Sequence, residues 1–419
     1  MSRSAFKRRS YLGATQHQRK DLGETTFRGL RQATVTSAGS PIQTLQLGNK
    51  WFPEFAGGLD RMYYGLVRYL PSSGVAVRGL VTGSYRVAQD SGGTVRAFAA
   101  PEAPLPVRWF ALRRELRQMF SEQQPDLVAA HFALYAFPVL DTLRLRPMVF
   151  HFHGPWALEG QVQGGKTLDI RAKAALERVV YRWATRCIVH SHSFGDMLFQ
   201  EYGVPPERIR RVPGGVDVER YSSALSKREV RERLGWPPDR PIVLTVRRLV
   251  RRMGLENLIS AISEVRRRVP EILLLIAGKG ELSKELEAQV WSLGLEDSIR
   301  FLGFVSDEDL PTIYRAADLS IVPTVALEGF GLVAAESLAA GTPVFVTPVG
   351  GLPEVVSGLS ADLVLSGSDV GSLAEGLEAA LEGELSLPDA EACRNHVRVR
   401  YDWPVVAARL QEVYAEALK

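Results

Sequence analysis

Cysteine is scarce in this chain of 419 residues, which contains only Cys187 and Cys393. Two cysteines so far apart do not indicate a disulfide framework, and the start of the chain lacks the apolar segment of a secretory signal, so we expect a reduced, cytoplasmic setting. Runs of about eighteen uncharged apolar residues are also lacking, since even the 128–140 stretch contains His131 and Pro138. The sequence therefore predicts no membrane-spanning helix.

A large excess of either charge is lacking as well. Lysine and arginine number 51 and aspartate and glutamate 47, a formal net charge of +4. A balance this close to neutral gives no indication of a nucleic-acid partner. Part of the basic charge is concentrated in residues 1–40, which have almost no apolar periodicity and include Lys7, Arg8, Arg9, Arg28 and Arg31. We expect this segment to be a basic, poorly ordered arm.

Strand-like and helix-like patterns alternate from Ile42 onward. Short runs rich in valine, isoleucine and leucine predict strands, and the amphipathic runs between them predict helices, so we expect an α/β protein with mostly parallel sheets. We predict one Rossmann-like domain over 41–220 and a second over 221–400. Because doubly wound sheets bind ligands at the carboxyl ends of their strands, the two domains should face one another across a cleft.

The segment VPTVALEGFGLVAAESLAAGTP, from Val322 to Pro343, is the most informative in the chain. An apolar strand is expected before it, and small residues after Gly331 predict a helix that packs closely on a sheet. Glu328 should then lie at the carboxyl end of a strand, and Glu336 within the helix, whose free N–H groups suit a phosphate. The pattern favours a pocket for an anion and hydroxyl groups. The alternative is a solvated loop carboxylate followed by a surface glutamate.

Two glycine-rich turns are expected at the same kind of edge. Gly57 and Gly58 follow the first strand, where a missing Cβ lets the backbone approach a ligand, although a plain turn is equally consistent. The turn AGKGE contains Gly278 and Gly280. Ser283 stands where the dinucleotide fingerprint needs a third glycine, so this turn gives only a weak indication of NAD binding.

An arginine-rich loop, Arg247 to Arg252 (RRLVRR), follows a predicted strand of the second series. One guanidinium group can donate two hydrogen bonds to a phosphate at once, and a positive charge there would stabilise a diphosphate leaving group. A solvated basic loop is the alternative. The position at a ligand-binding edge favours the phosphate site.

Five segments of the C-terminal half resemble those of the retaining GT-B glycosyltransferases of family 4. They are VRRLVRRMG, AGKG, LGFV, EGFG with Glu336 after it, and PEVV from Pro353, and their order and spacing match together. The resemblance covers the chain from about Ile42 to its end. It implies the GT-B fold, in which two Rossmann-like doubly wound domains face one another across a cleft. It also implies that a helix over 401–419 crosses back to the N-terminal domain.

The same resemblance implies the activity and the residues that carry it. The family transfers a hexose from a nucleotide-sugar, such as UDP-glucose, to an acceptor hydroxyl with retention, without a required metal or a cofactor. The implied catalytic residues are His153, Arg248 and Glu328. Glu328 would hold sugar hydroxyls, Arg248 the diphosphate and Glu336 the ribose. The implied donor-binding residues are Gly57, Gly58, Arg251, Arg252, Gly278, Gly280, Phe304, Gly329, Phe330, Gly331, Leu332 and Glu336.

Met253 departs from the family pattern. The family has a lysine five residues after its arginine, which neutralises the diphosphate, and Met253 stands there in this sequence. Methionine cannot stabilise a leaving phosphate. We expect Arg251 or Arg252 to have taken over that role. The alternative is a catalytically degenerate protein that binds a nucleotide-sugar without turning it over, as a scaffold or regulatory partner.

Five of the seven histidines lie between His131 and His192. His151 and His153, and likewise His190 and His192, are spaced to share one face of a strand, so two such pairs could ligate zinc. Because no nearby cysteine or aspartate completes a convincing ligand set, we predict no metal site. We expect these histidines to stand instead at the carboxyl ends of neighbouring strands by the cleft, some as polar lining and one as a catalytic residue.

Arg108 to Arg117 predicts a helix in which Trp109 and Phe110 stand beside several arginines. Together with the basic arm, this pattern favours peripheral binding to the anionic inner face of a membrane and a lipid-linked acceptor, in glycolipid or polysaccharide biosynthesis. An amphipathic helix packed on a sheet is the alternative.

Overall fold

The computed structural model of the chain describes residues 40–52, 54–162, 164, 166–223 and 225–419. The arm predicted over 1–40 lies, apart from residue 40, outside the described residues. The strands are β1 Ile42–Lys50, β2 Val75–Thr82, β3 Val95–Ala99, β4 Leu127–Ala130, β5 Met148–Phe152, β6 Arg186–Val189, β7 Ile209–Arg211, β8 Ile242–Val246, β9 Leu273–Ala277, β10 Ile299–Gly303, β11 Leu319–Val322 and β12 Val344–Val346.

Helices connect almost all of these strands. They are α1 Gly58–Tyr69, α2 Arg86–Asp90, α3 Leu105–Glu122, α4 Ala133–Ala136, α5 Leu140–Leu143, α6 Trp156–Val162, α7 Thr167–Trp183, α8 His192–Tyr202, α9 Lys227–Leu234, α10 Leu255–Val265, α11 Ser283–Ser292, α12 Leu310–Ala316, α13 Leu332–Ala339, α14 Leu352–Val356, α15 Val370–Leu381, α16 Ala390–Arg400 and α17 Trp403–Ala417. None of the helices in the described ranges has both the length and the apolar character that a membrane crossing needs.

The first sheet has seven strands in the order β3-β2-β1-β4-β5-β6-β7. All of its strand pairs are parallel. Leu47, Val128 and Phe150 point into one core on the sheet, which α3, α7 and α8 help to cover. The strand order reverses between β1 and β4, so the crevice where such sheets bind ligands lies beyond the carboxyl ends of these two strands.

The second sheet has five parallel strands in the order β10-β9-β8-β11-β12. Apart from the edge strand β10, its strands are buried along almost their whole length, as in Leu273–Ala277, where all five residues are apolar and buried. The order reverses between β8 and β11. The second ligand-binding crevice therefore lies after these two strands.

The last helix, α17, leaves the second sheet and packs on the first. Trp403, Leu410 and Tyr414 share a core with Met62 and Leu66 of α1. The ring of Trp403 stacks on Tyr69 at 5.5 Å. Two parallel-sheet, Rossmann-like domains with a helix crossing back are thus confirmed as the architecture.

Two elements of the fold, β3 and α9, have weak signals in the sequence. Strand β3 was overlooked because VRAFA alternates only weakly between polar and apolar residues. Helix α9 lies between the strands of the two sheets, and a capping box that joins Ser226 and Glu229 begins it. The domain boundary near residue 220 stays a prediction.

Candidate active site

A cavity of about 680 Å³ lies between the carboxyl edges of the two sheets. Residues of the loops that follow β1, β4, β8 and β11 line it, so it spans the reversal points of both sheets. Most of the predicted site residues come together here. They are Gly57, Gly58, His153, Arg248, Arg252, Gly278, Phe304, Glu328, Gly329, Phe330, Gly331, Leu332 and Glu336.

Glu328 reaches the cavity from the loop after β11, and its main partner is a residue that the predicted site lacked. The buried guanidinium of Arg247 donates to Glu328 and to the hydroxyl of Thr324. Burial alone would raise the pKa of Glu328, but the positive charges of Arg247, Arg252 and Arg248 lower it below its ordinary value. The carboxylate is therefore ionised and held in one orientation near neutral pH.

The backbone just before Glu328 is strained. Leu327 has φ of 55°, and it is the one non-glycine residue with positive φ among those the structure describes. Such a conformation costs roughly 1–2 kcal/mol for a residue with a Cβ. Arg252 donates from Nη1 to the Leu327 carbonyl oxygen at 2.7 Å, which helps to hold the strained turn. Strain of this kind clusters at ligand-binding sites.

The arginine loop divides between the cavity and the surface. Arg248 is exposed at the cavity, and its guanidinium makes no hydrogen bond or ion pair with any described residue. Arg252 is buried, and its Nη2 lies 3.1 Å from Glu159 of the first domain. Met253 is buried and also lines the cavity.

Arg251 does not fit its predicted donor-binding role. Its guanidinium points to solvent and lies 3.2 Å from Glu285 and 3.6 Å from Glu256. The reason is local geometry: residues Arg251–Met253 form a 3₁₀ turn, whose successive side chains point about 120° apart. Arg252 and Met253 therefore face inward when Arg251 faces outward.

Gly280 is also misplaced in the predicted donor-binding set, since it does not line the cavity. A Cβ at this position would lie 2.2 Å from the carbonyl oxygen of Leu249. Gly278 does line the cavity, and its Cβ would lie 1.8 Å from the carbonyl oxygen of Arg247. The glycines of this turn thus let two backbone loops pack together.

Gly331 caps the start of α13 with φ of 86°, a left-handed conformation that is strained for a residue with a Cβ. Inside this helix, Glu336 is buried and faces the first domain. Arg61 of α1 donates to Glu336 at 2.8 Å and lies 2.5 Å from Asp307. Burial raises the pKa of Glu336, and Arg61 opposes that effect. Sequence reasoning missed Arg61 because 275 residues separate it from Glu336.

Asp60 is another buried carboxylate at the cavity, and sequence reasoning missed it, although it lies in the first turn of α1, two residues after Gly58. It accepts hydrogen bonds from the Lys50 N–H at 3.1 Å and from Asn49 at 3.4 Å. Burial raises the pKa of Asp60 from 3.8 to about 6, although these hydrogen bonds lower it.

Replacing Asp60 by asparagine should therefore stabilise the protein at pH above the pKa of about 6. The folded state binds this proton more tightly than the unfolded state, so the carboxylate costs stability as the pH rises from 3.8 to about 6. A pKa raised by roughly two units corresponds to a gain in the free energy of unfolding of at most about 3 kcal/mol for Asp60→Asn. Thermal unfolding between mildly acidic and mildly basic pH measures it. Asp90→Asn, at an exposed site, is the matched control; an equal effect of Asp60→Asn at all pH values would contradict the prediction.

Four histidines gather at the carboxyl ends of β4, β5 and β6. The ring centroids of the stacked His131 and His151 lie 4.3 Å apart, and one ring nitrogen from each of His131, His151 and His153 lies within 4.8 Å of the others. His190 joins them through His153 at 3.1 Å. The expectation that histidines at neighbouring strand ends meet by the cleft is confirmed.

The predicted pairing of His190 with His192 on one strand face is wrong. Strand β6 ends at Val189, and His192 is the exposed first residue of α8. Its backbone N–H donates to Glu354 at 2.8 Å.

The chain matches two protein-family models in sequence. Residues 56–220 match the model described as Glycosyltransferase Family 4, and residues 226–400 match the model described as Glycosyl transferases group 1. Between them, these ranges include both sets of loops that line the cavity.

Curated relatives agree with this family. The mannosylfructose-phosphate synthase of Agrobacterium fabrum is 37% identical over 191 residues, which is 43% of this chain and 41% of that protein. The chain thus covers less than half of that relative. The D-inositol 3-phosphate glycosyltransferase of Corynebacterium jeikeium is 28% identical over 415 residues, 92% of this chain and 97% of that protein.

Solved structures share the fold. A sucrose-phosphate synthase from Thermosynechococcus elongatus has a TM-score of 0.73 at 22% identity and covers 89% of this chain and 98% of its own. The Anabaena protein HepE, in complex with UDP and glucose, has a TM-score of 0.70 at 21% identity and covers 89% of this chain and 100% of its own. The fold and the family matches agree, and the chain belongs to the group 1 glycosyltransferases of family 4, with the GT-B fold.

Proposed function

We propose that this protein is a retaining glycosyltransferase that moves a hexose from a nucleotide-sugar to an acceptor hydroxyl. One observation carries the proposal. A carboxylate fixed by a buried arginine, Glu328 with Arg247, lies in the same interdomain cavity as the exposed guanidinium of Arg248, which has no partner among the described residues. A pocket that combines a fixed carboxylate with free positive charge suits sugar hydroxyls next to a diphosphate.

The proposed roles follow from these positions. Glu328 accepts hydrogen bonds from donor-sugar hydroxyls, and Arg248 binds the diphosphate. The start of α13 at Leu332 offers free N–H groups to the same anion. The Nε–H groups of Arg247 and Arg252 are buried without an acceptor among the described residues, which supports an anion beside them.

Glu336 is proposed to bind the ribose, which requires Arg61 to share or release it, since the two are paired at 2.8 Å. His153 lines the cavity where the reacting sugar would lie. Phe304 lines the same cavity, and the side chain of Lys279 stands over its ring at 5.7 Å.

In the proposed reaction the bond between the anomeric carbon and the phosphate oxygen breaks, and both electrons go to the leaving diphosphate. The acceptor oxygen forms the new bond on the same face and passes its proton to a phosphate oxygen. Arginines and the start of α13 stabilise the charge that develops on the leaving group. We therefore expect the reaction to require no metal and to proceed at full rate with excess EDTA.

UDP-glucose is the proposed donor. The Anabaena HepE, which shares the fold, has been solved in complexes with UDP and with UDP-glucose. A panel of nucleotide-sugars tested for thermal stabilisation should show the donor, because a ligand present at a hundredfold its Kd adds about 2.7 kcal/mol. Absence of stabilisation by every nucleotide-sugar would contradict the proposed function.

A nucleotide-sugar-binding protein without catalysis is the second candidate, since Met253 replaces the family's lysine in the cavity. Transfer or hydrolysis of a labelled donor separates the two candidates. Stabilisation by a nucleotide-sugar without any turnover would favour the second.

We further propose a cytoplasmic, membrane-proximal enzyme with a lipid-linked acceptor, in glycolipid or polysaccharide biosynthesis. In α3 the side chain of Phe110 is 73% exposed and Val107 is 54% exposed. Arg113 is already paired with Asp141 at 2.6 Å, whereas Arg117 is exposed. The apolar tip and the remaining charge support a weak peripheral contact with an anionic surface.

Phe110→Ser should reduce sedimentation with anionic vesicles at low salt, because it removes the exposed apolar tip of α3. High salt should release the wild-type protein, since each lysine or arginine near the surface contributes only about 1 kcal/mol. Trp291→Ser, which removes an aromatic 74% exposed on the second domain, is the control. Full activity on a soluble acceptor without vesicle binding would reject the membrane contact and leave the glycosyltransferase proposal intact.

A further inference from the structure

Three histidines form a continuous hydrogen-bonded chain along the cavity. His190 Nε2 lies 3.1 Å from His153 Nδ1, and His153 Nε2 lies 3.1 Å from His131 Nδ1. All three residues line the cavity, and His153 is the least buried of them. These three residues are called the histidine chain below.

Each end of the histidine chain meets a hydrogen-bond acceptor. His190 Nδ1 lies 3.0 Å from the carbonyl oxygen of Val212. His131 Nε2 lies 2.9 Å from Oε1 of Gln46. A carbonyl oxygen and an amide oxygen can only accept, so both terminal nitrogens must donate.

Neighbouring contacts fix the orientation of the Gln46 amide. The hydroxyl of Thr44 donates to the Ala76 carbonyl oxygen at 2.9 Å, so its oxygen can accept another hydrogen bond. Gln46 Nε2 donates to that oxygen at 3.0 Å. Turning the amide over would bring two acceptors together at Thr44, so Oε1 faces His131.

Counting protons gives a deficit. The histidine chain makes four hydrogen-bond contacts, two between rings and two at its ends, and each contact needs one proton. Three neutral imidazoles carry three protons on six nitrogens. With three protons, one contact sets two lone pairs against each other. A fourth proton completes the chain and makes one ring an imidazolium.

The surroundings do not supply a charge that would stabilise the fourth proton. Tyr63 of α1 packs edge-on against His131 at 5.1 Å, and His151 of β5 stacks on it. His151 in turn lies 2.8 Å from the hydroxyl of Tyr414 in α17. No carboxylate among the described residues forms an ion pair or hydrogen bond with the histidine chain, and burial lowers the pKa of all three rings.

Charged side chains line the cavity without contacting the histidine chain. The positive side chains at the cavity are Arg61, Arg247, Arg248, Arg252 and Lys279, and the carboxylates are Asp60, Glu159, Glu328 and Glu336, the last three each paired with an arginine. An anion in this cavity would therefore be the negative charge that the histidine chain lacks.

We propose that the histidine chain takes up one proton when the diphosphate of a nucleotide-sugar binds in the cavity. The inference rests on the proposed function of this cavity. The proton comes from water, binds the free lone pair of a ring nitrogen and leaves again with the nucleotide. His153, the ring most open to the cavity, then presents a positive charge toward the donor. By reciprocity, affinity for the donor should rise as the pH falls.

Calorimetric titration with UDP-glucose, near neutral pH in buffers of different ionisation enthalpy, measures this uptake. The two phosphates of UDP-glucose do not titrate in this range, so the slope of binding heat against buffer ionisation heat counts protons taken up by the protein. We expect about one proton per bound donor. A slope near zero in the wild-type protein, with clear binding, would overturn the proposal.

Gln46→Leu removes the acceptor at one end of the histidine chain, so three protons then fill three contacts and the uptake should disappear. Gln43→Leu makes the same change on the same strand, where Gln43 bonds to Gln123 away from the cavity, and should keep the uptake. Equal uptake in both variants would reject the proposed count.

A measurement without nucleotide separates failure of this inference from failure of the donor assignment. In an acid titration followed by NMR of ¹⁵N-labelled histidines, the three ring signals of the wild-type protein should shift together, at higher pH than in Gln46→Leu. Equal midpoints, or independent ring titrations, would overturn the proposal whatever the donor is. So would stoichiometric metal in the purified protein bound by His131 and His153.

Discussion

Replacing Glu328 by glutamine should lower kcat/KM for transfer by about 100-fold or more, a loss of roughly 2.7 kcal/mol of transition-state stabilisation. The side chain keeps its size but loses its charge, so the buried guanidinium of Arg247 loses its ionic partner next to the donor sugar. Steady-state rates with UDP-glucose, or with the donor found by stabilisation screening, measure the effect.

Glu285→Gln is the matched control. Glu285 also pairs with an arginine of the loop after β8, Arg251 at 3.2 Å, but it is 56% exposed and lies outside the cavity. It should keep kcat/KM within about twofold of the parent. If Glu328→Ala and Arg248→Ala both leave turnover within a few-fold of the parent, the assignment of the site is wrong.

The position of Glu328 was predictable from sequence for a physical reason. A buried apolar strand that ends at a proline, followed by glycines and a helix of small residues, has few alternatives to a β-loop-α unit with the loop at the ligand edge. The same reasoning placed Gly57 and the arginine loop at the cavity. Local patterns of this kind constrain which loop faces the cleft.

Local patterns do not constrain which side chain within a loop faces inward. Arg247 and Arg248 are adjacent, yet one is buried against Glu328 and the other is exposed at the cavity. Arg251 and Arg252 divide in the same way because of the 3₁₀ turn. The four arginines have the same side chain and lie within one short loop, so only the backbone geometry determines which of them face the cavity.

Contacts between the two domains were likewise beyond sequence reasoning. Arg61 and Glu336, or Glu159 and Arg252, meet only after both sheets have formed and packed edge to edge. The histidine chain was predictable only in part. Its rings were expected together at neighbouring strand ends, but its terminal acceptors, Gln46 and Val212, come from other parts of the fold.

Arg252→Ala should lower kcat by at least about tenfold, or 1.4 kcal/mol, whereas Arg251→Ala should leave it within about twofold. Arg252 is buried at the cavity, supports the strained backbone of Leu327 and has an Nε–H without an acceptor in the described chain. Arg251 points to solvent. The two substitutions remove the same charge from neighbouring positions, so each is the control for the other.

Met253→Lys completes the test of whether an arginine has taken the place of the family's lysine. Met253 is buried at the cavity beside Arg252, so a lysine there adds a charge where Arg248 and Arg252 already stand, and we expect little change in kcat. A large gain would mean that the site lacks a charge that Arg252 does not supply. Equal losses in Arg251→Ala and Arg252→Ala would contradict the inward and outward division of the loop. The combination of a large loss in Arg252→Ala with neutral Arg251→Ala and Met253→Lys would assign the compensation to Arg252 alone.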